Sequence, residues 1–129
     1  MNDASQTQTS GTRTVLADRQ PAVRHGMRVL TTQALGMRVV GEADSWTALQ
    51  RHIRVERPDL AIVAWDLMAA GGELPLASLR DAAPDLRVVV LGLRPELRDA
   101  ALSAGADSYI STVDAPDVVV RVLQTCLES

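Results

Sequence analysis

Residues 58–68 read Pro-Asp-Leu-Ala-Ile-Val-Ala-Trp-Asp-Leu-Met, and the apolar run inside them is too short for a helix and has no alternating polar residue. That is the pattern of a central strand covered on both faces. Such a strand requires helices above and below the sheet, and in open sheets of this kind the working site lies just beyond the strand's carboxyl end. Here that end is Ala64, Trp65 and Asp66.

Toward the N-terminus, residues 37–40 read as a second strand, followed by Asp44 or Ser45 as the cap of a helix with apolar positions Trp46, Leu49 and Ile53; Pro58 forces the chain out of it. Further back, residues 14–17 form a short strand ending at Asp18. Pro21 then suits the first turn of a helix whose inward stripe is Val23, Met27, Leu30 and Ala34 and which Gly36 ends. Residues 1–12, rich in Ser, Thr and Gln, are expected to be a disordered leader before one domain at 13–129. Toward the C-terminus, the central strand gives way to a pliable loop through Met68, Ala69, Ala70, Gly71 and Gly72, then a helix at 74–82 and a strand at 88–91. Pro95 and Glu96 open a helix that faces the core with Leu97, Ala101 and Ala104 and closes at Gly105. A brief strand at 108–110 leads to Asp114, Pro116 and Asp117, which start a last helix with Val119, Val122, Leu123 and Cys126 inward. Five strands alternating with helices predict an α/β fold with a parallel sheet, since each crossover is helical.

At 129 residues the chain suits a single domain, and its 47% apolar and 22% charged residues are ordinary for a globular protein. No run is long enough to span a bilayer. With 13 Lys plus Arg against 16 Asp plus Glu, the net charge of -3 argues against nucleic-acid binding by this chain alone. Cys126 is the single cysteine, which excludes an intramolecular disulfide and a multi-cysteine zinc site and fits a reducing cytoplasm. No secretion signal is visible. A cytoplasmic location is therefore expected.

The strand ends converge on Asp18, Ala64, Gly92 and Thr112. Around them stand Ala-Asp-Arg-Gln-Pro at 17–21, Val-Val-Gly-Glu-Ala at 39–43, Pro-Asp-Leu-Ala-Ile-Val at 58–63, Val-Val-Val-Leu at 88–91 and Ala-Gly-Ala-Asp-Ser-Tyr at 104–109. In this combination the chain resembles the receiver domains of two-component response regulators, most of all those that precede a helix-turn-helix domain in transcription factors. The resemblance implies a flavodoxin-like, doubly wound five-stranded parallel sheet of strand order 2-1-3-4-5.

It also implies a site, and here the pattern departs from the family. Receivers accept a phosphoryl group on an aspartate at the end of the third strand, with an acidic pair for magnesium, a Ser or Thr, and a Lys. Asp18 matches the first acidic residue, but Arg19 stands in place of the second. Ala64 takes the phosphoacceptor position, and a methyl group has no oxygen with which to attack a donor. Gly92 replaces the hydroxyl residue and Thr112 the lysine, so the charge that would clamp a phosphoryl group is gone. The chain thus resembles a degenerate, pseudo-receiver domain.

Each residue has a plainer reading as well. Asp18 suits a cap on the turn into the first helix, and Asp66 is a solvated loop carboxylate more readily than a substitute acceptor. Tyr109 matches the aromatic that receivers use in switching; with Gly92 opposite, packing is the better assignment. His25, His52 and Cys126 point to surface placement or packing. Arg19 is expected to act as a built-in cation bridging Asp18 and Asp66, so that no metal or cofactor is needed. Val118, Val119, Val120 and Val122 exceed what one inward stripe buries, which predicts a homodimer or another protein partner on the last helix. The function expected is non-enzymatic signal transduction by protein contacts, without aspartyl phosphorylation. The alternatives are the receiver part of a longer DNA-binding regulator, and a small flavin-binding or enzymatic domain; no Gly-rich phosphate cradle or catalytic pair supports the last.

Overall fold

In a computed structural model, which describes residues 9–72 and 75–128, the strands are β1 Arg13–Ala17, β2 Arg38–Ala43, β3 Leu60–Ala64, β4 Arg87–Gly92 and β5 Ser108–Ser111. The helices are α1 Pro21–Leu35, α2 Trp46–Glu56, α3 Trp65–Ala69, α4 Pro75–Ala82, α5 Leu97–Ser103 and α6 Pro116–Glu128. All strand pairs are parallel and the order is β2-β1-β3-β4-β5, the arrangement that the resemblance implies.

All five residues of β3 are buried. Alternation along the strand divides them between two apolar layers: Ala61 and Val63 join Leu49, Ile53, Leu76 and Leu79 from α2 and α4, whereas Leu60 and Ile62 join Leu35 of α1 and Leu123 of α6. The continuous apolar run of this strand follows from having helices on both faces. Burial of each Val, Leu or Ile here is worth about 1.5–3 kcal/mol.

Local signals set the helix ends. Ser45 Oγ accepts the Ala48 N–H at 3.1 Å and so caps α2. At the other end Arg57 turns left-handed (φ 47°) immediately before Pro58, which ends the helix as predicted. Gly36, with φ 65°, closes α1 by directing its N–H to the carbonyls of Thr31 and Thr32.

Several expectations need correction. Residues 9–12 belong to the fold: Thr9 is buried and its hydroxyl donates to the Leu35 carbonyl at 2.8 Å, satisfying the end of α1, while the Gly11 N–H donates to Gly36 at 2.8 Å. Residues 1–8 lie outside the described residues. The second strand runs on through Gly41, Glu42 and Ala43, with a register shift opposite Thr14/Val15. A β-carbon on Gly41 would come within 2.6 Å of His52 Nδ1, so the glycine serves the strand by admitting a side chain from α2, and His52 is a packing residue. In α1 the inward positions are Thr31 and Leu35; Ala34 is exposed, because the stripe continues at four-residue intervals from Val23 and Met27. Ala104 is exposed as well, beyond the end of α5. Met68 and Ala69 are helical, belonging to the short α3, which buries Leu67 and Met68.

Candidate functional site

The carboxyl edge of the sheet opens into a cleft of 380 Å³ lined by Asp18, Ala64, Trp65, Asp66, Gly92 and Thr112, with Val23, Leu91 and Leu97 as apolar wall. The parallel register puts these residues together: Ala17 pairs with Val63, Ala64 with Leu91, and Gly92 with Ser111, so successive strands end side by side. The Thr112 N–H donates to the Gly92 carbonyl at 2.8 Å, holding the last strand end in place. Asp18, Ala64, Gly92 and Thr112 therefore share one crevice, at the edge where open α/β sheets bind ligands.

Ala64 is buried and presents a methyl group. Asp18 is half-buried; its Oδ1 accepts the Gln20 N–H at 2.8 Å, so it caps the turn into α1. Burial pushes its carboxyl above the usual range, and the charge of Asp66 adds to this, while the Gln20 hydrogen bond and Arg24 oppose it. Arg19 reaches only one of the two carboxylates. Its Nη1 is 3.8 Å from Asp66 Oδ2, with the side chains 58% and 61% exposed, and an ion pair so open to water is worth about 0–1 kcal/mol. The cation beside Asp18 is Arg24, whose Nη1 donates to the Asp18 backbone carbonyl at 2.5 Å and whose Nε pairs with Glu42 at 3.2 Å. Arg28 pairs with Glu42 too. Nothing in the sequence advertises this triad, because Arg24 and Glu42 meet only once α1 packs beside β2.

Magnesium takes several oxygen ligands in near-octahedral geometry. Among the described residues no group of three or more His, Cys, Asp or Glu is placed to hold a metal. With Arg19 and Ala64 at the two other acidic positions implied by the resemblance, the donor set does not fit that ion.

Tyr109 is buried against the core, and its hydroxyl donates to the Arg94 carbonyl at 2.5 Å. Burial pushes its phenol up, and Asp114 and Glu96 add to the effect. On α6, Val119 is only 6% exposed and belongs to the core, and Val120 and Val122 pack partly against it. Val118, 36% exposed, is the valine of that group that faces outward. The surplus of valines is thus mostly absorbed by the α1/α6 layer.

No protein-family model matches the chain. Among curated proteins it is 31% identical over 115 residues to the transcriptional activator protein ExaE of Pseudomonas putida, covering 88% of this chain and 54% of that one. It is 26% identical over 113 residues to the response regulator UvrY of Escherichia coli K12, covering 86% and 52%. The chain spans about half the length of these curated relatives. Among solved structures, a two-component response regulator of the LuxR family from Aurantimonas superposes with a TM-score of 0.80 at 27% identity, over 92% of this chain and 86% of that one. The isolated receiver domain of RcsB from Salmonella enterica serovar Typhimurium superposes with a TM-score of 0.79 at 21% identity, over 93% and 91%, a likeness of fold. UvrY and the Aurantimonas protein are response regulators, which are signalling proteins. No helix among the described residues is long and apolar enough to cross a membrane.

Proposed function

We propose that this chain is a receiver-type signalling domain that works through protein contacts and not through an aspartyl phosphate. The observation that carries the reading is Ala64: it ends β3 at the cleft, where the resemblance implies the phosphoacceptor, and it offers no nucleophile. Gly92 and Thr112 supply neither the partner hydroxyl nor the cation at their positions. The domain on this reading is not an enzyme, needs no metal or cofactor, and acts in the cytoplasm. Incubation with acetyl phosphate and magnesium, followed by intact-mass measurement, is expected to show no phosphoryl adduct. An adduct mapped to the exposed Asp66 would overturn the reading.

A second reading is favoured by the lengths and the description of one relative: the chain matches about half of a transcriptional activator. It is then the receiver part of a longer DNA-binding regulator, with the DNA contact made elsewhere, since the net charge of -3 does not suit this domain for it. The length of the native reading frame separates the two.

The partner surface we propose is on α6, reduced to the face around Val118, the one valine of the group left outward, with a second copy of the chain as the occupant. Sedimentation is expected to give a dimer that Val118→Lys shifts to monomer. A monomer at high concentration for the parent chain would remove the proposal.

A further inference from the structure

Gly92 has no need of glycine's backbone freedom, because it is absent from the positive-φ positions that Gly11, Gly36, Gly72 and Gly105 occupy. What it supplies is space. A β-carbon at position 92 would lie 2.1 Å from the Tyr109 hydroxyl oxygen and 2.8 Å from Cζ, closer than real β-carbons approach any such atom. With a β-carbon at residue 92 the ring would have to move from the buried place, at 4% exposure, that it now holds. From there the hydroxyl donates to the Arg94 carbonyl at 2.5 Å, and that carbonyl also accepts the Leu97 N–H at 3.2 Å. The phenol therefore ties down the turn that opens α5, and Leu93, Arg94 and Leu97 of this segment form one wall of the cleft.

We infer that Gly92 and Tyr109 form a latch: the missing side chain on β4 seats the ring of β5, and the seated ring holds the β4–α5 loop in one conformation regardless of what occupies the cleft. The loss of a side chain at position 92 is then also a gain, because it converts a loop that a bulkier residue would leave free into a fixed surface. The latch and the absence of phosphorylation are separate claims. One concerns residues 92, 94 and 109, the other Ala64, and their tests have different readouts.

Tyr109 is the only tyrosine in the chain, so ring-labelled tyrosine gives NMR signals that report it alone. In the full parent chain these signals are expected to be a single set, with the phenol titrating above free tyrosine, and to stay unchanged on adding acetyl phosphate and magnesium. Gly92→Ala should shift the ring signals, bring the titration down toward ordinary tyrosine, and raise hydrogen exchange of the Leu97 amide by about tenfold or more. Tyr109→Phe keeps the ring and removes the hydrogen bond, so it should raise that exchange by about fivefold while leaving the ring seated. Where Gly92→Ala does not fold, the double variant Gly92→Ala/Tyr109→Ala should recover the fold, because the clash has gone. Ring signals in Gly92→Ala identical to the parent's would overturn the latch. So would a phosphodonor-induced ring shift, an unchanged Leu97 exchange in Tyr109→Phe, or a double variant that stays unfolded while Tyr109→Ala alone folds.

Discussion

Ile62→Ala is expected to cost the chain about 2–5 kcal/mol and to lie toward the upper end of that range. Ile62 is 2% exposed at the middle of β3, paired with Leu16 of β1 on one side and Val89 of β4 on the other, both buried. The cost of a truncation depends on how far the surroundings can close over the gap. Here two parallel ladders fix the backbone on either side, and α1 and α6 cover the face, so little collapse is available. Each kcal/mol lowers the melting temperature of domains in this size range by about 2–8 °C, which makes the effect readable in a thermal scan. Val55→Ala is the control: Val55 is 70% exposed on α2, and alanine is the better helix former, so stability should stay within about 0.5 kcal/mol of the parent or rise slightly. If Ile62→Ala melts with the parent, β3 is not the buried centre of the sheet.

The contrast between those two residues also explains what was legible beforehand. A run such as 60–64 signals burial on both faces by composition alone, and Pro58, Gly36 and Ser45 mark element ends through backbone chemistry that acts within a few residues. The strand order is implied by the family resemblance alone, which rests on short motifs scattered over the whole chain, none of them decisive singly. Residues that depart from their local signals do so through contacts distant in sequence. Gly41 and Glu42 lie past the strand read at 37–40, yet Glu42 is held by Arg24 and Arg28 and Gly41 by the need to admit His52. Helical periodicity places Ala34 inward, but Leu35 completes the stripe. At the cleft, the identity of the residues was plain and their interactions were not. Arg19 was expected to bridge two carboxylates, but it starts on the exposed turn before α1, whereas Arg24, one helical turn further on, lies where the Asp18 carbonyl and Glu42 both come within reach. Gly92 read as a subtraction because nothing local announces which side chain will fill the space it leaves.

Ala64→Asp puts a carboxylate back at the end of β3 and tests whether one substitution restores what the cleft lacks. The position is 4% exposed and faces Asp18 and Asp66 across the crevice. A third carboxylate there is desolvated and repelled, so the variant should lose about 1–3 kcal/mol at neutral pH. The pH dependence has a definite sign. Burial and like charge raise the new group's folded-state pKa above its unfolded value, as they already do for Asp18. The folded state then binds the proton more tightly than the unfolded one. Stability should be nearly that of the parent below the unfolded carboxylate value and fall away as pH rises through the raised one. Magnesium should offset the loss in the variant and leave the parent unaffected, since three carboxylates offer the hard oxygen ligands that two do not. Acetyl phosphate should still give little adduct: Gly92 and Thr112 provide neither the hydroxyl nor the cation to stabilise a transferring phosphoryl group, and that electrostatic contribution is usually the largest part of catalysis. Denaturation of parent and variant at acidic and neutral pH, with and without magnesium, reads the first two expectations, and intact mass reads the third. Equal stability at both pH values would mean that position 64 is not desolvated, and rapid phosphorylation of the variant would place the silencing of this cleft in Ala64 alone.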